Sequence, residues 1–146
     1  MKILALDLGD VWVGSALSDV LKITCKPYTT VKIQEVVTFL SEILQKEPIN
    51  IIVVGYPKTV GSGGHSEQTK KIIAQKEALQ AQFGECKGTP ITWVLWDERF
   101  SSKRASDLHK GQQNKEDKIK SHAIAASFIL QSYLDYLAFN NTVDSF

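Results

Sequence analysis

Asp7 is a carboxylate set inside an aliphatic run, KILALDL over residues 2–8. An ionised carboxylate there is costly unless a metal ion or hydrogen-bond donors satisfy it. Period-two alternation puts it on the strand face of Ile3 and Ala5, at the strand's carboxyl end, where α/β sheets collect their ligands. The alternatives are a divalent-metal ligand or a carboxylate held by the turn amides around Gly9 and Val11, and the position favours the metal. Asp97 and Glu98 close a second apolar run, PITWVLW at 90–96. By alternation only one of them can share a face with Asp7, and adjacent acids at a strand end can instead cap the next helix. Arg99 beside them has the fork to hold a phosphate or to neutralise the pair. His122 stands four residues before Ala126 and seven before Ile129, on the apolar stripe of the last helix. Ala123, Ala125 and Ala126 keep that helix end slim, so it can approach the sheet and carry the imidazole toward the strand-end carboxylates. Both a ligand and a satisfied core histidine fit this position. His65 and His109 fall in polar stretches and are expected to be solvated.

Carboxylates around metal ions suit phosphodiester hydrolysis, and a polyanionic substrate needs a cationic track beside them. From Arg99 through Lys120 there are seven basic residues (Arg99, Lys103, Arg104, Lys110, Lys115, Lys118, Lys120) against three acids, a local charge of +4. The stretch at 55–65, GYPKTVGSGGH, has four glycines in eleven residues and Lys58, the composition of a flap on the same rim or of an ordinary surface loop. Gly9 to Gly14 has the glycine spacing of a phosphate loop but lacks the lysine and the following helix, so that reading fails. Asp7-Leu8-Gly9 also resembles the phosphate turn of actin-like and sugar kinases, but no second such turn follows and the chain has no room for a second domain.

The elements that must position these residues follow from periodicity. Strands are expected over 2–8, 11–18 and 23–30, the third at a sheet edge because of Pro27, then a helix over 31–46 with Val36, Val37, Leu40, Ile43 and Leu44 at helical spacing. A buried strand over 49–54, a helix over 66–83 and a strand over 90–96 come next. A short helix begins near Ser101 or Ser102, and a polar stretch at 109–117 precedes a last helix carrying Ala125, Ala126, Ile129, Leu130, Tyr133 and Leu137. The order βββαβαβαα implies an α/β fold: a five-stranded mixed sheet, an antiparallel meander plus two parallel strands, with helices on both faces. Residues 1–139 read as a single domain and 140–146 as a frayed tail.

Composition sets the bounds. The 146 residues are 43% hydrophobic and 23% charged, ordinary for a folded chain that buries about two-thirds of its unfolded surface. Lys plus Arg number 17 against 16 Asp plus Glu, for a net charge of +1, so affinity for nucleic acid must come from a local patch. Cys25 and Cys86 form no CxxC pair and no disulfide framework, which points to a reducing compartment. No apolar run reaches about 18 residues and the start shows no cleavage site, so a cytoplasmic chain with no membrane contact is expected.

Four blocks in order, LALDLGDVWVGSALSD, VVGYPKTVGSGG, WDERFSSKRASDL and HAIAASFILQSYLD, resemble the YqgF family of Holliday-junction-resolvase-like nucleases assigned to pre-16S rRNA processing. The resemblance spans residues 3–135. It implies the ribonuclease-H-like fold and a metal-dependent nuclease that uses Mg²⁺ or Mn²⁺, as one or two ions. The family's first-strand aspartate matches Asp7, its Asp-Glu-Arg block matches Asp97, Glu98 and Arg99, and its last-helix acid falls on His122, a place where nucleases of this fold class sometimes use histidine. Trp12 stands where the family usually has a basic residue, and a buried role is expected for it.

The resemblance makes Asp7, Glu98 and His122 catalytic and Asp7, Asp97, Glu98 and His122 the metal set. Substrate binding falls to Gly9, Lys58, Arg99, Ser101, Ser102, Lys103 and Arg104. The implied substrate is pre-16S rRNA or another ribosomal precursor, with branched DNA the alternative, and the chain acts as a monomer or weak homodimer. A nucleic-acid-binding protein with weak or no catalysis is the reading from another class.

Overall fold

The computed structural model describes residues 1–56, 67–97 and 115–144. In chain order these form β1 (Lys2–Leu8), β2 (Trp12–Ser18), β3 (Cys25–Lys32), a 3₁₀ turn (Ile33–Glu35), α1 (Val36–Lys46), β4 (Ile49–Tyr56), α2 (Glu67–Gln82), β5 (Glu85–Cys86), β6 (Thr89–Pro90), β7 (Thr92–Asp97) and α3 (Lys115–Asp144). The main sheet has the order β3-β2-β1-β4-β7. β1 pairs antiparallel with β2 and parallel with β4, and β4 pairs parallel with β7. The expected mixed five-stranded sheet is therefore present, with β1 at its centre.

Alternation along β1 divides the core. Leu4, Leu6 and Leu8 face one way and pack with Val36, Phe39, Leu40, Ile43 and Leu44 of α1 and with Ile72 and Leu79 of α2. Ile3 and Ala5 face the other way and pack with Ala16, Val53 and the α3 residues Ala126, Ile129, Leu130, Tyr133 and Leu134. Each fully buried Leu or Ile contributes about 1.5–3 kcal/mol, so both faces of the sheet are anchored. Alanines enter the buried core only on the α3 side, as Ala5, Ala16 and Ala126, and they set how closely that helix approaches.

Several boundaries differ from the sequence expectation. β3 begins at Cys25 because Asp19 Oδ1 accepts the amides of Ile23 (2.8 Å) and Thr24 (3.2 Å) and folds them into the β2–β3 turn, where Lys22 has φ 60°. Pro27 does lie on an edge strand, beside a register shift between Ser15 and Ala16. In α1, Val37 is exposed and Phe39 takes its place in the core. A β5–β6 hairpin, which periodicity does not foresee, turns at Lys87 and Gly88, both with positive φ. α3 starts inside the stretch expected to be a polar connection and runs to Asp144, through most of the segment expected to fray. The short helix near Ser101 lies outside the described residues. Among those described, no helix is long and apolar enough to cross a membrane.

Candidate metal and phosphodiester site

Asp7 sits one residue from the end of β1, and its register partners on both sides are glycines, Gly14 on β2 and Gly55 on β4. Neither neighbour places a side chain beside the carboxylate, so the space around it belongs to whatever covers the sheet. That cover is the first half of α3. A Cβ at Gly14 would overlap the His122 carbonyl and come within 2.7 Å of Ala123 N, so only glycine lets the helix backbone lie directly on the strand. Ala123 is buried and Ala126 fully so, which confirms the slim helix end.

This contact brings His122 Nδ1 to 3.9 Å from Asp7 Oδ2, with the two side chains 32% and 20% exposed. The separation is too long for a hydrogen bond. The two groups instead face the same partly solvated space from different elements. The turn-amide alternative for Asp7 loses its main donor, because Gly9 N donates to Trp12 O at 3.0 Å. A Cβ at Gly9 would stand 2.7 Å from that same oxygen, so Gly9 shapes the tight β1–β2 turn. Trp12, by alternation on the face of Gly14, is half-buried.

At the end of β7, Asp97 pairs in register with Tyr56, and Trp96 pairs with Gly55. Asp97 thus has the parity of Trp93 and Leu95, which pack toward α1 and α2, whereas Trp96 has the parity of Asp7. Glu98, Arg99, Ser101, Ser102, Lys103, Arg104 and Lys58 lie outside the described residues. Among those described, no group of three or more His, Cys, Asp or Glu is gathered to hold a metal ion, and Asp7 and His122 are the pair brought together.

A carboxylate oxygen and an imidazole nitrogen are donors that divalent transition ions accept, and Mg²⁺ prefers all-oxygen sets. The cysteines offer no competing chemistry. Cys25 donates to Ser127 O at 3.2 Å, and burial, with the charges of Asp135 and Asp19, pushes its thiol up to about 11. Cys86 is buried and donates to Leu44 O at 3.2 Å. Gly55 is the position that sequence reasoning misses. Its glycine-rich surroundings have the composition of a loop, yet it lies near the end of a buried strand, where a glycine signals a close approach.

Comparison with known proteins adds a family and a fold. The family model described as "RuvX: Holliday junction resolvase" matches residues 1–136. A protein of Caldicellulosiruptor bescii named "Putative pre-16S rRNA nuclease" is 36% identical over 139 residues, 93% of this chain and 97% of that protein. One of the same name from Rubrobacter xylanophilus is 31% identical over 135 residues, covering 92% of each. Among solved structures, T. thermophilus RuvC in complex with Holliday junction substrate aligns with a TM-score of 0.56 at 15% identity, over 92% of this chain and 94% of that one. A second Thermus thermophilus RuvC structure gives 0.55 at 12% identity, over 96% and 97%. At such identities the likeness is one of fold.

Proposed function

Because this chain belongs to the RuvX family of Holliday junction resolvases, the family its four sequence blocks resemble under the name YqgF, we propose that it is a metal-dependent nuclease. It hydrolyses phosphodiester bonds in the maturation of the 5′ end of pre-16S rRNA, in the cytoplasm. The observation that carries the reading is the approach of His122 to Asp7 at the carboxyl end of the central strand, over two glycines. The names of the curated relatives support the substrate.

Asp7, Asp97, Glu98 and His122 would hold the metal. When bound, divalent ions supply activation of water and stabilisation of the leaving oxygen. The chain's own residues do the rest. Asp7 offers its carboxylate from a rigid strand, and His122 offers an imidazole nitrogen from a helix locked on Gly14. Arg99, Lys103, Arg104 and Lys58, with the Ser101 and Ser102 hydroxyls, would grip the substrate's phosphates. Gly9 keeps the adjoining turn tight enough for a backbone to pass.

A junction-cleaving DNA resolvase is the second reading, favoured by the description of the family model, since both substrates present the same phosphodiester. Purified protein supplied with Mg²⁺ or Mn²⁺ should trim a pre-16S rRNA fragment at its 5′ end and leave a four-way DNA junction intact. Cleavage of the junction alone would reverse the choice, and binding without cleavage of either would leave only a nucleic-acid-binding protein.

A further inference from the structure

The register that links Asp7 to Gly55 and Gly55 to Trp96 puts Trp96 on the same sheet face and level as Asp7. The two Cα atoms are separated by two strand spacings, about 10 Å. The residue between them is a glycine. From this point a group of aromatic rings extends along the flank of α3. Trp96 meets Tyr133 edge-on, with centroids 5.2 Å apart at 83°, and Tyr136 in a tilted contact at 5.2 Å and 55°. Trp96 Nε1 donates to Ser132 Oγ at 3.1 Å, which fixes the indole plane.

Only part of this group serves the core. Tyr133 is 7% exposed, but Tyr136 is 48% exposed and Phe139, one helical turn further on, is 69% exposed. Tyr136 is thus held at the surface against a fixed indole, and Phe139 stands exposed one turn further along α3, the helix that covers the carboxylate's face of the sheet. Flat π-faces at the surface of a nucleic-acid enzyme match unstacked bases, whose stacking tolerates any sequence.

We propose that Trp96, Tyr136 and Phe139 form a base-stacking platform for unpaired nucleotides in the strand leading away from the phosphate cleaved at Asp7, because Tyr136 and Phe139 stand about 21 and 25 Å further along the α3 axis than His122. The proposal rests on the nuclease reading and deepens it. A continuous duplex keeps its bases stacked on one another and cannot use such a platform, so the preferred substrate is single-stranded a few nucleotides from the cut.

The test is binding of a fluorescently labelled single-stranded RNA oligonucleotide, and of a blunt duplex of the same sequence, to the full-length protein in EDTA. Tyr136→Leu and Phe139→Leu keep an apolar side chain but remove the π-face. Each should weaken single-strand binding by at least about 5-fold, as expected when one base loses its stacking partner. Duplex binding, melting temperature and the salt dependence of affinity should not change. Tyr136→Phe and Phe139→Tyr should bind like the parent protein. Unchanged single-strand affinity in both Leu variants overturns the platform, as does an equal loss on duplex or a loss matched by a lower melting temperature. If the Leu variants bind normally while the parent protein cleaves precursor RNA, only the platform falls. If the parent protein neither binds nor cleaves nucleic acid, the nuclease reading falls with it.

Discussion

Gly14→Ala adds one methyl group at the point where α3 lies on β2. The new Cβ would overlap the His122 carbonyl and stand 2.7 Å from Ala123 N, both backbone atoms of a helix that cannot rotate away. Restoring an ordinary contact of about 3.4 Å or more to that nitrogen alone moves the helix by roughly 0.7 Å, and the carbonyl asks for more, so a displacement on the order of 1 Å follows. Overpacking of this kind costs about 1–3 kcal/mol, which for a domain of this size lowers the melting temperature by roughly 3–12 °C. The same displacement carries His122 away from Asp7, already 3.9 Å distant, and a misplacement of about 1 Å in a catalytic constellation can cost around 100-fold in rate. The assay pairs thermal unfolding with single-turnover cleavage of the RNA fragment well below the melting temperature. Gly84→Ala is the control, since its nearest foreign atom is Gln80 O at 3.8 Å, and it should change neither quantity appreciably. Gly14→Ala protein with parental melting temperature and cleavage rate would refute the close-approach argument and, with it, the placement of His122.

The other expectations are narrower. His122→Asp should raise Mg²⁺-supported cleavage and Mg²⁺-induced stabilisation against heat, because oxygen donors suit that ion better than imidazole; His122→Ala should lower stabilisation by either ion, and parental metal preference in both variants would mark His122 as a core residue. Replacing Lys103, Arg104, Lys110 and Lys115 with Ala should flatten the plot of log affinity against log salt by roughly 0.7 for each phosphate of single-stranded RNA that is no longer neutralised, and an unchanged slope would make the run a merely solvated face. Cys25 has its thiol raised from 9.0 to about 11, mainly by burial, so its neutral form is favoured by folding. Its contribution is fully present below pH 9 and is lost as the pH rises through about 11, so the melting temperature of the parent protein should fall more steeply over that window than that of Cys25→Ser, and parallel curves would contradict the burial.

Much of this architecture is legible because β1 announces itself. An aliphatic run that is apolar at both parities must be buried on both faces, and the two strands read directly after it form the meander that makes β1 central. His122 is readable for a similar reason, since three nearby alanines leave a helix little bulk with which to stand off a sheet. What the sequence does not carry is register. That Asp7 is flanked by Gly14 and Gly55 depends on pairings across up to 48 positions of chain, and alternation alone says only that one of Asp97 and Glu98 shares its face. The pairing of Tyr56 with Asp97 puts Asp97 on the parity of Trp93 and Leu95, the side of α1 and α2. The β5–β6 hairpin has two residues per strand, too few for a period, and α3 reads short because its charged first turns and polar end look like loop composition.

The central claim is tested most directly by Asp7→Asn, which keeps the shape of the side chain and removes its charge. Cleavage of the pre-16S rRNA fragment should fall by at least about 100-fold with Mg²⁺ and with Mn²⁺, and stabilisation of the protein by Mn²⁺ against heat should be lost, while the far-ultraviolet spectrum and the melting temperature in EDTA stay at parental values. An Asp7→Asn protein that folds normally and cleaves at the parental rate would contradict the metal-site assignment.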